Sequence, residues 1–278
     1  MSVEIKRFDM RNIDDDKVCV MIGKRNTGKS FLVKDLLYYH KDIPIGNVLS
    51  GTEEANGFYG KMMPQLFIHG GYTPDIVDRF IKRQKQVIRE LNKERERGVT
   101  AENSSIDPRA FFILDDCLYD NSWTTDTNIR SLFMNGRHYK VFFIITMQYP
   151  LGIPPNLRAN IDYVFILRNN NTSDRKRIYE HYAGVFPSFD IFCQVMDQCT
   201  QNYECLVINN TVSSTKLEDC VFWYKADPHD DFKIGHPTVW KYNNQHCKSA
   251  DEDDDEDFDV NKLKKKKSST YLTVKKTY

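Results

Sequence analysis

Residues 18–39, VCVMIGKRNTGKSFLVKDLLYY, constrain this chain more than any other stretch. Positions 23–30 read G-x-x-x-x-G-K-S. An apolar run with strand character (Val18, Val20, Met21, Ile22) enters that octet, and an amphipathic helix (Phe31, Leu32, Leu36, Leu37) leaves it. A strand–loop–helix context is what such a motif needs if it is to hold phosphate. Gly23 and Gly28 allow a tight curl and a close approach of backbone to an anion. The successive N–H groups of residues 23–31 (Gly23, Lys24, Arg25, Asn26, Thr27, Gly28, Lys29, Ser30 and Phe31) then face the phosphates at a helix N-terminus. Lys29 is expected to reach the β- and γ-phosphates of a bound ATP, and the Ser30 hydroxyl to sit on Mg²⁺.

Such a loop needs a carboxylate at the end of a neighbouring buried strand. The run Phe111, Phe112, Ile113, Leu114, Asp115, Asp116 supplies two. Asp115 is expected to hold the Mg²⁺ shell, through water. Asp116 is placed to accept a proton from the attacking water as general base. Gln148 follows the apolar strand 141–147, where its side chain can reach between the γ-phosphate and that water. Phosphoryl transfer also uses a guanidinium, supplied from the same or a neighbouring chain. Arg137, in NGRHYK, is the first choice and Arg158, in NLRAN, the second.

Strands and helices alternate along the chain. Strands are expected at 18–22, 45–50, 110–116, 141–147 and 161–168, with extended pieces near 66–69, 203–209 and 219–225. Helices are expected at 29–40, 74–97, 126–137, 173–183 and 188–200. Helix 74–97 carries an apolar stripe (Ile76, Val77, Phe80, Ile81, Val87, Ile88, Leu91) close to helical spacing and a basic opposite face, which Glu90, Glu94 and Glu96 interrupt. That face, over 79–97, is a candidate DNA or neighbour-contact surface, though the interruptions favour a solvated one. Near-continuous apolar strands with helices between them specify an α/β fold, a mainly parallel sheet with helices on both faces. Residues 1–247 are read as one ATPase domain. Residues 248–278, with DEDDDEDFDV followed by KLKKKK, are read as a charged tail, disordered by composition.

Composition narrows the partners. Thirty-nine basic residues balance thirty-nine acidic ones, so a polyanion must be met by a local surface and not by the field of the whole molecule. No signal peptide and no apolar run of transmembrane length is visible. Seven cysteines form no C-x-x-C pair, which suits a reducing compartment. No N-K-x-D guanine-reading motif occurs, and the chain is too short for a two-lobed helicase. A nucleotide kinase and an ATP-regulated assembly or scaffold protein stay open as alternatives.

In combination, GKRNTGKS, FFILDD and GRHYKVFFIITMQYP resemble the FtsK/HerA group of P-loop ATPases. They are most similar to the genome-packaging ATPases of nucleocytoplasmic large DNA viruses, the poxvirus enzyme among them. The run TEEANGFYGKMMPQLFIHGGY, leading into a helix that contains Gln84, shares that similarity. The resemblance covers about residues 10–225. It implies a RecA/ASCE-like P-loop NTPase that works as a homo-oligomeric ring and threads double-stranded DNA into a capsid. It further implies capsid vertex proteins as possible partners, and the host cytoplasm at sites of virion assembly, or the virion, as location. Residue by residue, it assigns phosphate and Mg²⁺ to Lys29 and Ser30, the metal to Asp115, the water to Asp116, the sensor role to Gln148 and the finger to Arg137. Many cellular relatives end the metal strand with Asp-Glu, whereas this chain has Asp-Asp.

Overall fold

A computed structural model describes residues 4–117 and 121–247. The charged tail therefore lies outside the described residues. In chain order the strands are β1 (Lys6–Arg7), β2 (Val18–Ile22), β3 (Gly46–Ser50), β4 (Ile68–His69), β5 (Ala110–Asp115), β6 (Val141–Met147), β7 (Tyr163–Leu167), β8 (Glu204–Asn209) and β9 (Val221–Lys225). The helices are α1 (Lys29–Tyr39), α2 (Glu53–Asn56), α3 (Pro74–Glu96), α4 (Thr127–Asn135), α5 (Pro155–Arg158), α6 (Thr172–Tyr182), α7 (Phe189–Cys199), α8 (Leu217–Cys220) and α9 (Pro237–His246).

All nine strands join one sheet in the order β1-β9-β8-β7-β2-β6-β5-β3-β4. The pairs from β7 through β4 are parallel, while β8 runs antiparallel to both β7 and β9. The sheet is thus mostly parallel but mixed, with its antiparallel part confined to one side. Successive side chains of a strand point to opposite faces, and the apolar runs fill both. Val18, Val20 and Ile22 of β2 join Phe112, Leu114, Phe143 and Ile145 under α3, α4, α6 and α7. Cys19 and Met21 join Phe111, Ile113, Phe142 and Ile144 under α1. A strand buried on both faces has no room for alternation, which is why β2, β5 and β6 read as unbroken hydrophobic stretches.

Features not foreseen are the two-residue edge strand β1, the one-turn helices α2, α5 and α8, and the terminal helix α9. The basic face of α3 is exposed, and part of its charge is answered within the helix. Lys82 pairs with Asp78 at 2.6 Å and Lys93 with Glu90 at 2.8 Å. Exposed pairs of this kind suit a solvated surface. Gln84, on the opposite side of α3, is fully buried. Its amide donates to the carbonyls of Pro108 at 3.0 Å and Tyr139 at 2.8 Å. It therefore pins α3 to the chain entering β5 and the chain entering β6. Among the described residues no helix is long and apolar enough to cross a membrane.

Candidate active site

Strand order explains why distant segments meet. β6 lies between β2 and β5, and all three run the same way. Their C-terminal ends therefore emerge side by side. The loop after β2, the carboxylates after β5 and Gln148 after β6 share one rim of the sheet. Register sharpens this placement. Ile22 lies beside Met147, and the Gly23 N–H donates to the Met147 carbonyl at 3.0 Å.

Between these ends lies a cleft of about 1020 Å³. Lys24, Arg25, Asn26, Gly28, Lys29, Ser30 and Phe31 line it on one side, and Asp115, Asp116 and Gln148 on the other. Gly23 and Thr27 shape the loop from behind. A Cβ at position 23 would lie 2.8 Å from the Leu167 Cβ, so only glycine fits there. The Thr27 hydroxyl donates to the Lys24 carbonyl at 2.7 Å and closes the turn. Gly28 caps α1 at φ 100°, a left-handed conformation that glycine adopts without strain. No side chain caps α1, so the first N–H groups of the helix are left to face an anion.

The Lys29 ammonium folds back on its own loop and donates to the carbonyls of Gly23 at 2.6 Å and Lys24 at 3.0 Å. Burial lowers its pKa below the ordinary lysine value, although Asp116 and Asp115 pull the other way. A cation held in the cleft at that cost is suited to a polyanionic ligand.

The two aspartates are held differently. In the register, Asp115 stands directly beside Ser50 of β3 and Thr146 of β6. The Ser50 hydroxyl donates to one of its carboxylate oxygens at 3.0 Å, and the Thr146 hydroxyl to the other at 2.6 Å. Asp116 leaves the strand with φ 53°, a left-handed conformation that aspartate tolerates better than most residues. Its N–H meets the Thr146 carbonyl at 3.3 Å and the Thr146 hydroxyl at 3.1 Å. The Gln148 amide donates to its carboxylate. Next to them, burial and the charge of Asp115 push the Cys117 thiol up to about 12. The buried Tyr59 phenol is also raised, by burial first and Asp115 second. Both groups are neutral near the carboxylates.

Sequence reasoning missed Ser50 and Thr146. Their signal was a hydroxyl near the end of an otherwise apolar strand, in GNVLS and VFFIITM. It also missed Tyr203, Lys225 and Pro228, which line the cleft from the antiparallel side of the sheet.

The two arginines do not join this group. Arg137 lies in the turn that precedes β6, exposed on the opposite rim. Seven strand residues separate the two ends of β6, about 20 Å at the usual rise. Arg137 thus cannot serve the cleft of its own chain. Arg158 stacks its guanidinium over the Tyr182 ring at 5.7 Å, beside a separate cavity of about 370 Å³.

No family model matches the chain. Among solved structures it is similar to the genome packaging NTPase B204 of Sulfolobus turreted icosahedral virus 2 in complex with ATPγS. That match has a TM-score of 0.50 at 16% identity, over 77% of this chain and 98% of B204. It is also similar to EssC (ATPases 2 and 3) of Geobacillus thermodenitrificans, with a TM-score of 0.51 at 15% identity, over 84% of this chain and 43% of that one. These likenesses establish the fold, that of P-loop ATPases. In sequence the chain is 38% identical over 224 residues to protein L437 of Acanthamoeba polyphaga mimivirus, covering 80% of this chain and 77% of the relative. It is 39% identical over 252 residues to protein 075L of Invertebrate iridescent virus 6, covering 87% and 93%. Such identity across most of both partners means that the chain belongs to the family of large-DNA-virus proteins that includes L437 and 075L.

Proposed function

We propose that this protein is a Mg²⁺-dependent ATPase that moves double-stranded DNA during packaging of a viral genome, working as a ring of identical chains. The observation that carries this reading is the meeting of Lys29, Ser30, Asp115, Asp116 and Gln148 in one cleft. The viral relatives and the similarity to a packaging NTPase support the choice of cargo.

In this reading the loop N–H groups and the start of α1 hold the phosphates, and Lys29 turns from its own carbonyls onto the β- and γ-oxygens. The residues present fit a hard divalent cation: Ser30 and Asp115 offer oxygens to the same cleft. Held by Ser30 and Asp115, magnesium would offset the charge of the phosphate oxygens. Ser50 and Thr146 keep the Asp115 carboxylate from rotating. Asp116 takes the proton of the attacking water, and Gln148, bonded to that carboxylate, holds the water in line. Arg137 is our choice for the arginine that stabilises charge on the transferred phosphoryl group. Its position on the far rim means that it acts on another copy's nucleotide. Duplex DNA is gripped through its phosphates, so binding is sequence-tolerant and weakens with salt. Capsid vertex proteins, and assembly sites in the host cytoplasm, complete the setting.

ATP turnover measured with and without duplex DNA at low salt tests this reading. We expect the rate to rise on adding DNA, and Lys29→Ala to abolish turnover under both conditions. Wild-type turnover by Lys29→Ala would refute the site. A rate indifferent to DNA would favour an ATP-regulated assembly protein.

A further inference from the structure

We propose that the end of the cleft between Phe31 and Tyr203 is a stacking subsite for the base of the nucleotide, an inference that rests on the ATPase reading above. The two ends of the cleft differ in chemistry. Asp115, Asp116 and Gln148 make one end polar, whereas Phe31, Leu167, Tyr203 and Pro228 make the other mainly aromatic and apolar, with the charged Lys225 among them.

The aromatics there are unusually open. Phe31 is 72% exposed and Tyr203 71%, the two highest values among the exposed large hydrophobic residues described. Both line the cleft. A side chain that gains nothing from burial in the free protein keeps its face available to a planar ligand. Phe31 follows Ser30 directly on the first turn of α1. It therefore sits within one nucleotide's length of the helix N-terminus that faces the phosphates.

Tyr203 reaches the same place by a different route. Asn202 and Tyr203 lie in the turn before β8 with φ of 51° and 65°. Two successive non-glycine residues in the left-handed region are strained, and strain of this kind persists where the surroundings enforce it, often at binding sites. Its effect here is to lay the tyrosine ring against the phosphate loop: a Cβ built on Gly28 would be 3.5 Å from the Tyr203 Cδ1.

The wall behind this end is held firmly. Asp35, fully buried on α1, accepts hydrogen bonds from the Tyr224 hydroxyl and from His229. Those bonds tie both ends of the segment bearing Lys225 and Pro228 to the helix that carries Lys29. The His229 ring stacks on Tyr38 of the same helix at 3.7 Å. A preformed wall keeps the aromatic end open without a ligand to prop it.

Aromatic side chains stack on any base through its face, and the larger purines stack more strongly. The structure therefore assigns to Phe31 and Tyr203 the part of nucleotide affinity that phosphates alone do not provide, with purine triphosphates favoured over pyrimidine ones.

The test compares ATP with inorganic tripolyphosphate, which carries no base, in equilibrium titrations of the full chain with Mg²⁺. Wild-type protein should bind ATP about tenfold or more tightly than tripolyphosphate, given the usual strength of base stacking. Tyr203→Ala and Phe31→Ala should each weaken ATP about fivefold or more and leave tripolyphosphate unchanged, while Tyr203→Trp restores ATP binding. Equal wild-type affinity for the two ligands would overturn the base subsite alone. So would variants that weaken both ligands together, since that marks a general disturbance of the loop. Binding of neither ligand by wild-type protein would overturn the phosphate site and this proposal with it.

Discussion

Thr146 shows how much one side chain can settle. Its hydroxyl donates to the Asp115 carboxylate and accepts from the Asp116 N–H, so it fixes one side chain and the neighbouring main chain at once. Removing groups that orient metal-binding carboxylates typically costs 10–100-fold in activity or metal affinity. Thr146→Val preserves the β-branched shape, so the fold should survive. We expect its ATP turnover to fall about tenfold or more, with a higher Mg²⁺ requirement, as read from Mg²⁺ titrations of the rate. Lys29 makes a second prediction at this scale. Burial lowers its pKa from 10.5, so between its folded pKa and 10.5 the unfolded chain binds more protons than the folded one, and stability rises with pH there. Below that window the full cost of the buried ammonium remains. Without nucleotide, Lys29→Met should therefore be at least as stable as wild type at neutral pH, and the gap should close as pH approaches 10.5. Thermal melts across that range check the sign.

At the scale of elements, the sequence was most legible where burial imposes a pattern. β2, α1, α3, β5 and β6 lie within a residue or two of their expected bounds, because strands buried on both faces are continuously apolar and α3 carries a clear 3.6-residue stripe. The helix expected at 126–137 stops at Asn135, and the chain tightens into a 3₁₀ turn before Lys140 at φ 55°. β1 was invisible, since two charged residues on an edge show no period. α9 had a start signal, Pro237 after the capping His236, but only weak amphipathy behind it. The runs ECLVIN and VFWYK read as extended, yet nothing in an apolar run states its direction, so the reversal of β8 against both neighbours emerged only in three dimensions. Tyr203, on the turn before β8, was hidden for the same reason. Gln84 had stood only as part of a family likeness, and the fold gives it a physical task. Gln84→Leu would strip two part-buried carbonyls of this donor, a loss of about 2 kcal/mol. The denaturation midpoint should fall accordingly. The KM for ATP should not move, because the pinned carbonyls lie at the N-terminal rim of the sheet.

At the scale of the whole molecule, the separation of Arg137 from the cleft decides what can be tested. If the arginine serves another copy, Arg137→Ala and Lys29→Ala lack different halves of the reaction. Mixing the two inactive proteins should then restore part of the turnover, through assemblies in which an intact cleft meets an intact arginine. Mixtures that stay inactive at every ratio would count against Arg137 acting between chains. Sequence alone put Arg137 first and Arg158 second without saying which rim either occupies, because an arginine in a loop carries no mark of it. Strand polarity puts Arg137 on the far rim, and Arg158 lines a separate cavity with Ile161 and Asn210 near the start of β7, so both stand apart from the cleft.

That polarity reaches further than one residue. A two-fold dimer sets like against like, so pairing through the nucleotide-bearing rim would leave each pocket opposite another pocket, with both guanidinium groups pointing away. A head-to-tail succession, one molecule's far side against the next one's near side, unites the halves instead. Contacts of that type repeat in a single sense. Any assembly they build would have a front and a back, whatever it acts on.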